Sequence, residues 1–212
     1  MKKKLPNIPS LLLAMAFALI PACQSRAALS LVNADFQDIT GLTPLSDVWY
    51  GGVPTGWSSA ITTSNYSVIN HSSGSLVANL NVVGPGGAPF RPFYQSAGLL
   101  DSAAVVSLSF DIITLSGVYD VRAGIYNTDG SSSFNSWTAL ALPTAGYTTP
   151  GRYTLQTSAP IASGTRIGVA FWQGATGAGG IDNVTLIPEP SALSLLMIGS
   201  ALTFLVASRR RR

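Results

Sequence analysis

The sequence has few of the residues that usually carry covalent or metal chemistry. It contains one cysteine and one histidine, and charged residues make up only 10% of its 212 residues. A scaffold held by disulfide bonds is therefore excluded, and a transition-metal site lacks the second imidazole or thiolate that it needs. Because 47% of the residues are hydrophobic, a disordered polyampholyte is excluded as well.

Lysine and glutamate are missing from the middle of the chain. Between Ala28 and Ile187 there are eight Asp and four Arg, which leaves a net charge of −4. The overall charge of +3 therefore comes from the two ends. Since the body offers no basic surface that could neutralise phosphates, we expect no nucleic-acid partner.

The first 27 residues have the order of a secretory signal peptide. Residues 2–4 are all lysine, and ten apolar residues, 11–20, follow them, too few to span a bilayer. The small residues that follow predict cleavage between Ala27 and Ala28. The alternative is lipidation at Cys23, because the residues before it loosely resemble a lipobox. Either route predicts an exported protein.

A second apolar block, residues 191–208, predicts one transmembrane helix near the C-terminus. Eighteen helical residues reach about 27 Å, close to the hydrocarbon thickness of about 30 Å. Apolar side chains cover every face of this helix, which favours lipid over a protein core. The four residues after it favour the cytoplasmic side and are Arg209, Arg210, Arg211 and Arg212. The body is then expected outside the inner membrane.

The junction between body and helix carries a motif of its own. Pro188, Glu189 and Pro190 directly precede the helix, and the arginine cluster ends the chain. This order closely resembles the PEP-CTERM sorting signal of bacterial surface proteins, and residues 188–212 are assigned to it. The resemblance implies an exosortase as partner, a membrane-embedded cysteine protease or transpeptidase that cuts near Pro-Glu-Pro. We expect inner-membrane anchoring before processing, then display at the cell surface or release; the alternative is a permanent anchor.

Residues 28–187 form a single domain with the pattern of an antiparallel β-sandwich. Apolar and polar residues alternate through residues 106–112, 119–126 and 166–172. Turn signals such as Asp129-Gly130 separate these segments, and no stretch of a dozen residues shows a helical period. The fold class is therefore all-β, a jelly roll or a related two-sheet fold.

The order of motifs in this domain is similar to that of galactose-binding-like jelly rolls and many carbohydrate-binding modules. It begins with LVNADF at residues 31–36 and PTGW at residues 54–57, and it ends with GIDNVTL at residues 180–186. The resemblance implies that the first and last strands lie close together and that a structural calcium ion often sits between them.

The positions that match the calcium ligands of that family are Asp35, Gln37 and Asp182. Gln37 stands where many members carry glutamate, and one fewer carboxylate lowers the expected affinity for a hard cation. In the alternative interpretation, Asp35 and Asp182 only cap turns.

We expect no catalytic site in this domain. His71 lies in a stretch rich in serine and glycine, where a triad match carries no information. Glycoside hydrolysis would need two Asp carboxylates in one cleft, and Asp111 and Asp120 are explained more simply as solvated strand positions. A secreted Asp-dependent hydrolase is kept as an alternative function.

Aromatic side chains beside polar ones indicate a carbohydrate-binding face, because sugar rings stack on aromatic rings. The candidates on strand faces away from the core are Trp172, Tyr126, Arg122 and Asp111. The alternative anchors, in loop-like contexts, are Trp49, Tyr50 and Trp137. In the competing interpretation, Trp172 and Tyr126 lie under a loop. The sequence thus predicts a non-enzymatic surface protein that binds extracellular polysaccharide, with a purely structural matrix protein as a further alternative.

Overall fold

The alternating segments form β-strands in the computed structural model, which describes residues 29–46, 49–59, 67–70, 75–80, 92–174 and 178–189. Within these ranges there are twelve strands and one short 3-10 helix, Phe134–Ser136. The strands are β1 Thr43–Ser46, β2 Trp49–Gly51, β3 Ser58–Ser59, β4 Ser67–Asn70, β5 Leu76–Asn79, β6 Phe93–Leu99, β7 Val105–Ser116, β8 Val121–Asn127, β9 Thr138–Ala141, β10 Gly151–Gln156, β11 Arg166–Gln173 and β12 Ala178–Glu189.

The strands assemble into two sheets in which every pairing is antiparallel. Sheet A has the order β1-β2-β4-β5-β12-β7-β10, and sheet B has the order β3-β6-β11-β8-β9. The predicted antiparallel β-sandwich is confirmed for the part of the chain that the structure describes.

Strand β7 illustrates how alternation builds the core. Val106, Leu108, Phe110 and Ile112 are all buried and face sheet B, while Ser109 and Asp111 face outward and are only partly covered. Strands β8 and β11 contribute their own alternate residues to the same core. The period of two therefore predicts the inward face of each long strand.

Residues 29–42 belong to neither sheet and yet contribute to the core. Phe36 is fully buried, and its ring centroid lies 5.3 Å from that of Trp57 and 5.8 Å from that of Phe93. Its φ of 57° is a left-handed conformation that is costly for a bulky residue. Burial of the ring offsets that cost, so this segment is held by the core rather than by strand pairing.

The predicted ends of the chain fall mostly outside the described residues. The signal peptide, Ala27 and Ala28 lie there, as do Pro190, the helix at 191–208 and the arginine cluster. Within the described ranges, no helix is long and apolar enough to cross a membrane. Strand β12 continues through Pro188 and Glu189, two residues past the domain boundary expected at Ile187.

Replacing Phe36 with alanine should destabilise the domain by about 3–5 kcal/mol, because the change removes a buried ring and leaves a cavity. The matched control is Val118→Ala, at a residue that is largely exposed, which should change the free energy of unfolding by less than about 0.5 kcal/mol. Urea unfolding of both variants measures the difference. Equal, small losses would mean that residues 29–42 do not anchor the core.

Candidate functional site

An open depression of about 560 Å³ lies on the outer face of sheet A, beside the N-terminal segment. We call it the polar depression, and it is lined by Asn33, Ala34, Asp35, Arg152, Asn183, Val184 and Thr185. Most of these side chains carry hydrogen-bonding groups, and Ala34 and Val184 add apolar surface.

A β-bulge in β12 shapes this depression. The pairing of β12 with β7 shifts register between Asp182 and Thr185, and Asn183 has a φ of 49°. As a result Asp182 and Val184 are buried, while Asn183 between them is exposed. Bulges often re-aim side chains in this way next to functional sites.

Arg152 is held in place on the floor of the polar depression. Its Nη1 donates to Asp111 Oδ1 at 3.2 Å and to the Asn183 carbonyl at 3.0 Å, and its Nη2 donates to Thr185 Oγ1 at 3.3 Å. Asn183 Nδ2 donates to the other Asp111 oxygen at 2.9 Å. The Arg152 side chain is still 48% exposed, so this network orients the guanidinium without hiding it from a ligand.

Asp182 is buried beside the β-bulge. Ser75 Oγ donates to its Oδ2 at 2.9 Å, and the Asn183 amide donates to its Oδ1 at 2.7 Å. Desolvation raises the pKa of Asp182, and the nearby charges of Asp111 and Asp35 act in the same direction. At 2% exposure its carboxyl is too buried to contact a substrate.

The three residues predicted to bind calcium come together, but their arrangement does not suit the ion. Gln37 Nε2 donates to the carbonyls of Asp35 and Leu76, so a nitrogen faces these oxygens. Asp35 Oδ1 accepts a hydrogen bond from the backbone N–H of Gln37 at 3.4 Å. This is a turn contact of the kind that the alternative interpretation expects for Asp35. Among the described residues, no three His, Cys, Asp or Glu side chains could hold a metal ion together. The side chains as arranged therefore do not fit calcium.

The predicted aromatic platform is not open to solvent. Trp172, Tyr126 and Trp137 are only 6%, 4% and 9% exposed. They belong to a second cluster, here called the outer cluster, on the face of sheet B away from the main core; its members are Tyr94, Tyr126, Phe134, Trp137, Ala170 and Trp172. The expectation that Trp172 and Tyr126 present their rings for stacking is wrong, because strand alternation does not reveal what covers a face.

The loop after β8 folds back to close the outer cluster. Trp137 Nε1 donates to the Ser131 carbonyl at 2.9 Å, and the Tyr94 hydroxyl donates to the Ser132 carbonyl at 3.2 Å. Trp137 rests on Gly168, where an added Cβ would lie 2.6 Å from the indole ring. Burial in this cluster raises the pKa of Tyr126 to about 12.

Arg122 lies on the same face of sheet B, across from Trp172 in the strand register. Its Nη2 forms an ion pair with Asp120 Oδ2 at 3.0 Å, and its side chain is 43% exposed. Gly146 and Gly174 leave room for the Asp120 carboxylate, which a Cβ at either position would overlap. Asp111 lies in β7 of sheet A, Asp120 directly precedes β8 of sheet B, and each pairs with a different arginine, so they do not form a two-carboxylate cleft.

The remaining candidates are distributed elsewhere. Trp49 begins β2, and Tyr50 packs against the main core. His71 lies outside the described residues. Sequence reasoning missed Arg152, Asn183 and Ser75, because their contacts depend on the register between strands that are distant in the chain.

Comparison with known proteins gives fold-level similarities only. No family model and no curated protein matches the chain. One similar solved structure is described as "CBM4 structure and function", with 16% identity, a TM-score of 0.47, and coverage of 76% of this chain and 100% of the other.

Two further structures are similar in the same range. The CBM22-1 xylan-binding domain from Paenibacillus barcinonensis Xyn10C has 15% identity and a TM-score of 0.45, and the match covers 66% of this chain and 90% of that one. TmCBM61, in complex with beta-1,4-galactotriose, has 17% identity and a TM-score of 0.39, with 66% and 92% covered. Similarities at this level assign neither a family nor a ligand to this chain.

The environment of Asp182 leads to a prediction about pH. Because its pKa is raised in the folded state, ionisation of Asp182 costs stability. The cost is fully present above the folded-state pKa and is lost as the pH falls towards the ordinary Asp pKa of 3.8. The variant Asp182→Asn should therefore have a higher Tm than the parent chain at pH 7, and the difference should shrink as the pH approaches 4. Thermal unfolding across this range measures it; a difference that does not change with pH would contradict the assignment.

Proposed function

We propose that this chain is an exported bacterial surface protein whose non-catalytic β-sandwich binds neutral carbohydrate in the polar depression and whose C-terminal signal is processed by an exosortase-like membrane protease. The observation that carries the binding assignment is the fixed, half-exposed guanidinium of Arg152 on the floor of that depression.

The chemistry of the polar depression suits a ligand with many hydroxyl groups. Arg152 and the side-chain amide of Asn33 supply donors, while Asp35 and Thr185 supply acceptors. The side-chain amide of Asn183 already donates to Asp111 and Asp182. A sugar ring carries hydroxyls that donate and accept in turn, so each group has a partner. The volume of about 560 Å³ lies in the range of about 300–1,000 Å³ that is typical of small-molecule sites.

Charge favours a neutral glycan over an anionic one. Arg152 is already paired with Asp111, and Asp35 adds a second carboxylate at the rim. The body carries a net charge of −4 between residues 28 and 187, so the surroundings do not attract a uronate or a sulfated sugar. No aromatic ring is among the residues that line the depression, which predicts modest affinity for one site and a benefit from repeated contacts along a polymer.

The sorting assignment rests on the order Pro-Glu-Pro, apolar helix and arginine cluster at residues 188–212. Pro188 and Glu189 pair with Val106 and Val105 of β7 at the end of β12. The sandwich therefore adjoins the sorting segment without a linker. We propose that the domain lies close to the membrane surface until processing is complete.

Replacing Arg152 with alanine should weaken retention by a neutral polysaccharide about tenfold or more, since hydrogen bonds to a charged group are lost. Arg122→Ala is the matched control, because Arg122 has similar exposure and a similar ion pair but lies on the opposite sheet. Affinity electrophoresis in gels containing neutral glucans, xylans or galactans measures retention. Loss of retention with Arg122→Ala alone would place the site on sheet B. If the parent chain itself is not retained by any polysaccharide, a purely structural matrix role is favoured.

Processing can be read from the intact mass of the protein isolated from its host, in both cell envelope and medium. We expect a mature chain that starts at Ala28 and ends near Pro188–Pro190, with or without an attached group. A mass that includes Arg212 would indicate a permanent anchor and would contradict the exosortase assignment.

A further inference from the structure

Several oxygen atoms converge where the N-terminal segment meets sheet A. The carbonyl oxygens of Asp35 and Leu76 and the hydroxyl of Ser75 lie 2.8, 3.2 and 3.4 Å from one atom, Nε2 of Gln37. The same hydroxyl donates to the carboxylate of Asp182, which extends the cluster by a charged oxygen donor. Carbonyl, hydroxyl and carboxylate oxygens are the ligand types that hard cations such as calcium prefer.

The atom at the centre of this cluster is a hydrogen-bond donor rather than a cation. An amide nitrogen carries two hydrogens, whereas the amide oxygen would face three other oxygens if the group were turned around. The chemistry of the neighbours therefore fixes the orientation of the Gln37 side chain.

We infer that the Gln37 amide takes the place of a bound cation at this junction, so that the chain fastens its N-terminal segment to sheet A without metal. A neutral donor attracts these oxygens less strongly than an ion would. The remaining stabilisation of the N-terminal segment comes from its own hydrogen bonds.

The N-terminal segment is closed by its own hydrogen bonds. Asn33 and Asp38 exchange two of them, at 2.8 and 2.9 Å, and the Thr40 amide donates to Asp38 Oδ1 at 2.9 Å. On the other side, the Val184 amide donates to the Ala34 carbonyl at 2.9 Å. These bonds close the segment and hold it against β12 of sheet A.

The hydrogen-bond balance at the junction supports the same inference. A cation site without its ion leaves buried oxygens with no partner. Both carboxylate oxygens of Asp182 accept hydrogen bonds.

A single substitution should convert this junction into a calcium site. In Gln37→Glu, a carboxylate replaces the amide and faces the carbonyls of Asp35 and Leu76 and the charge of Asp182. Repulsion then loosens the segment unless a cation enters between the oxygens. In Gln37→Met, the donor is lost without any new charge, so the segment is loosened in a way that calcium does not reverse.

The test is thermal unfolding of the full-length chain in detergent, with excess EDTA or with millimolar CaCl₂. We expect the same Tm in both conditions for the parent chain, within about 1 °C. Gln37→Glu should have a lower Tm in EDTA and recover with calcium, and Gln37→Met should have a lower Tm in both.

Three results would overturn the inference. The first is a rise of several degrees in the Tm of the parent chain with calcium, which needs no variant and shows that the amide does not replace the ion. The second is a Gln37→Glu variant that is as stable as the parent chain in EDTA. The third is a Gln37→Glu variant that calcium does not rescue.

Discussion

The burial of Phe36 is the constraint on which the rest of this structure depends. The residue adopts a left-handed backbone conformation that is unfavourable for a bulky side chain, and its ring packs in the core against the stacked rings of Trp57 and Phe93. Holding this ring fixes the residues on both sides of it. Asn33, Ala34 and Asp35 then form one wall of the polar depression, and Gln37 reaches Leu76, the first residue of β5.

The two sheets differ in how they use their outer faces. The outer cluster covers the outside of sheet B, so this sheet is buried on both faces where β6, β8 and β11 meet. The outside of sheet A carries the polar rows of β7, β10 and β12 and stays open around Arg152. In the function proposed above, polar ligands bind to sheet A, while the aromatic residues of the outer cluster serve stability.

Sequence reasoning predicts the core well because the rule behind it is local. In β7, β8 and β11, the alternation of apolar and polar residues identifies the inward side chains, and these are buried. Alternation correctly places Trp172 and Tyr126 on the outer face of sheet B. It does not show that the loop with Phe134 and Trp137 covers them, because that depends on tertiary packing. The pairing of Asp111 with Arg152 depends on the register of two strands 41 residues apart, and the orientation of Gln37 depends on three oxygens from two segments. Neither contact can be predicted from the spacing of residues along the chain.

The central claim is that a neutral glycan binds in the polar depression, and chemical-shift mapping tests it most directly. The isotope-labelled full-length chain would be titrated with a panel of neutral hexasaccharides while its backbone amide resonances are followed. Binding in the polar depression should confine the shifts to Asn33–Asp35, Arg152 and Asn183–Thr185. Shifts centred on Arg122 and the outer cluster, or no shifts with any member of the panel at millimolar concentration, would contradict it.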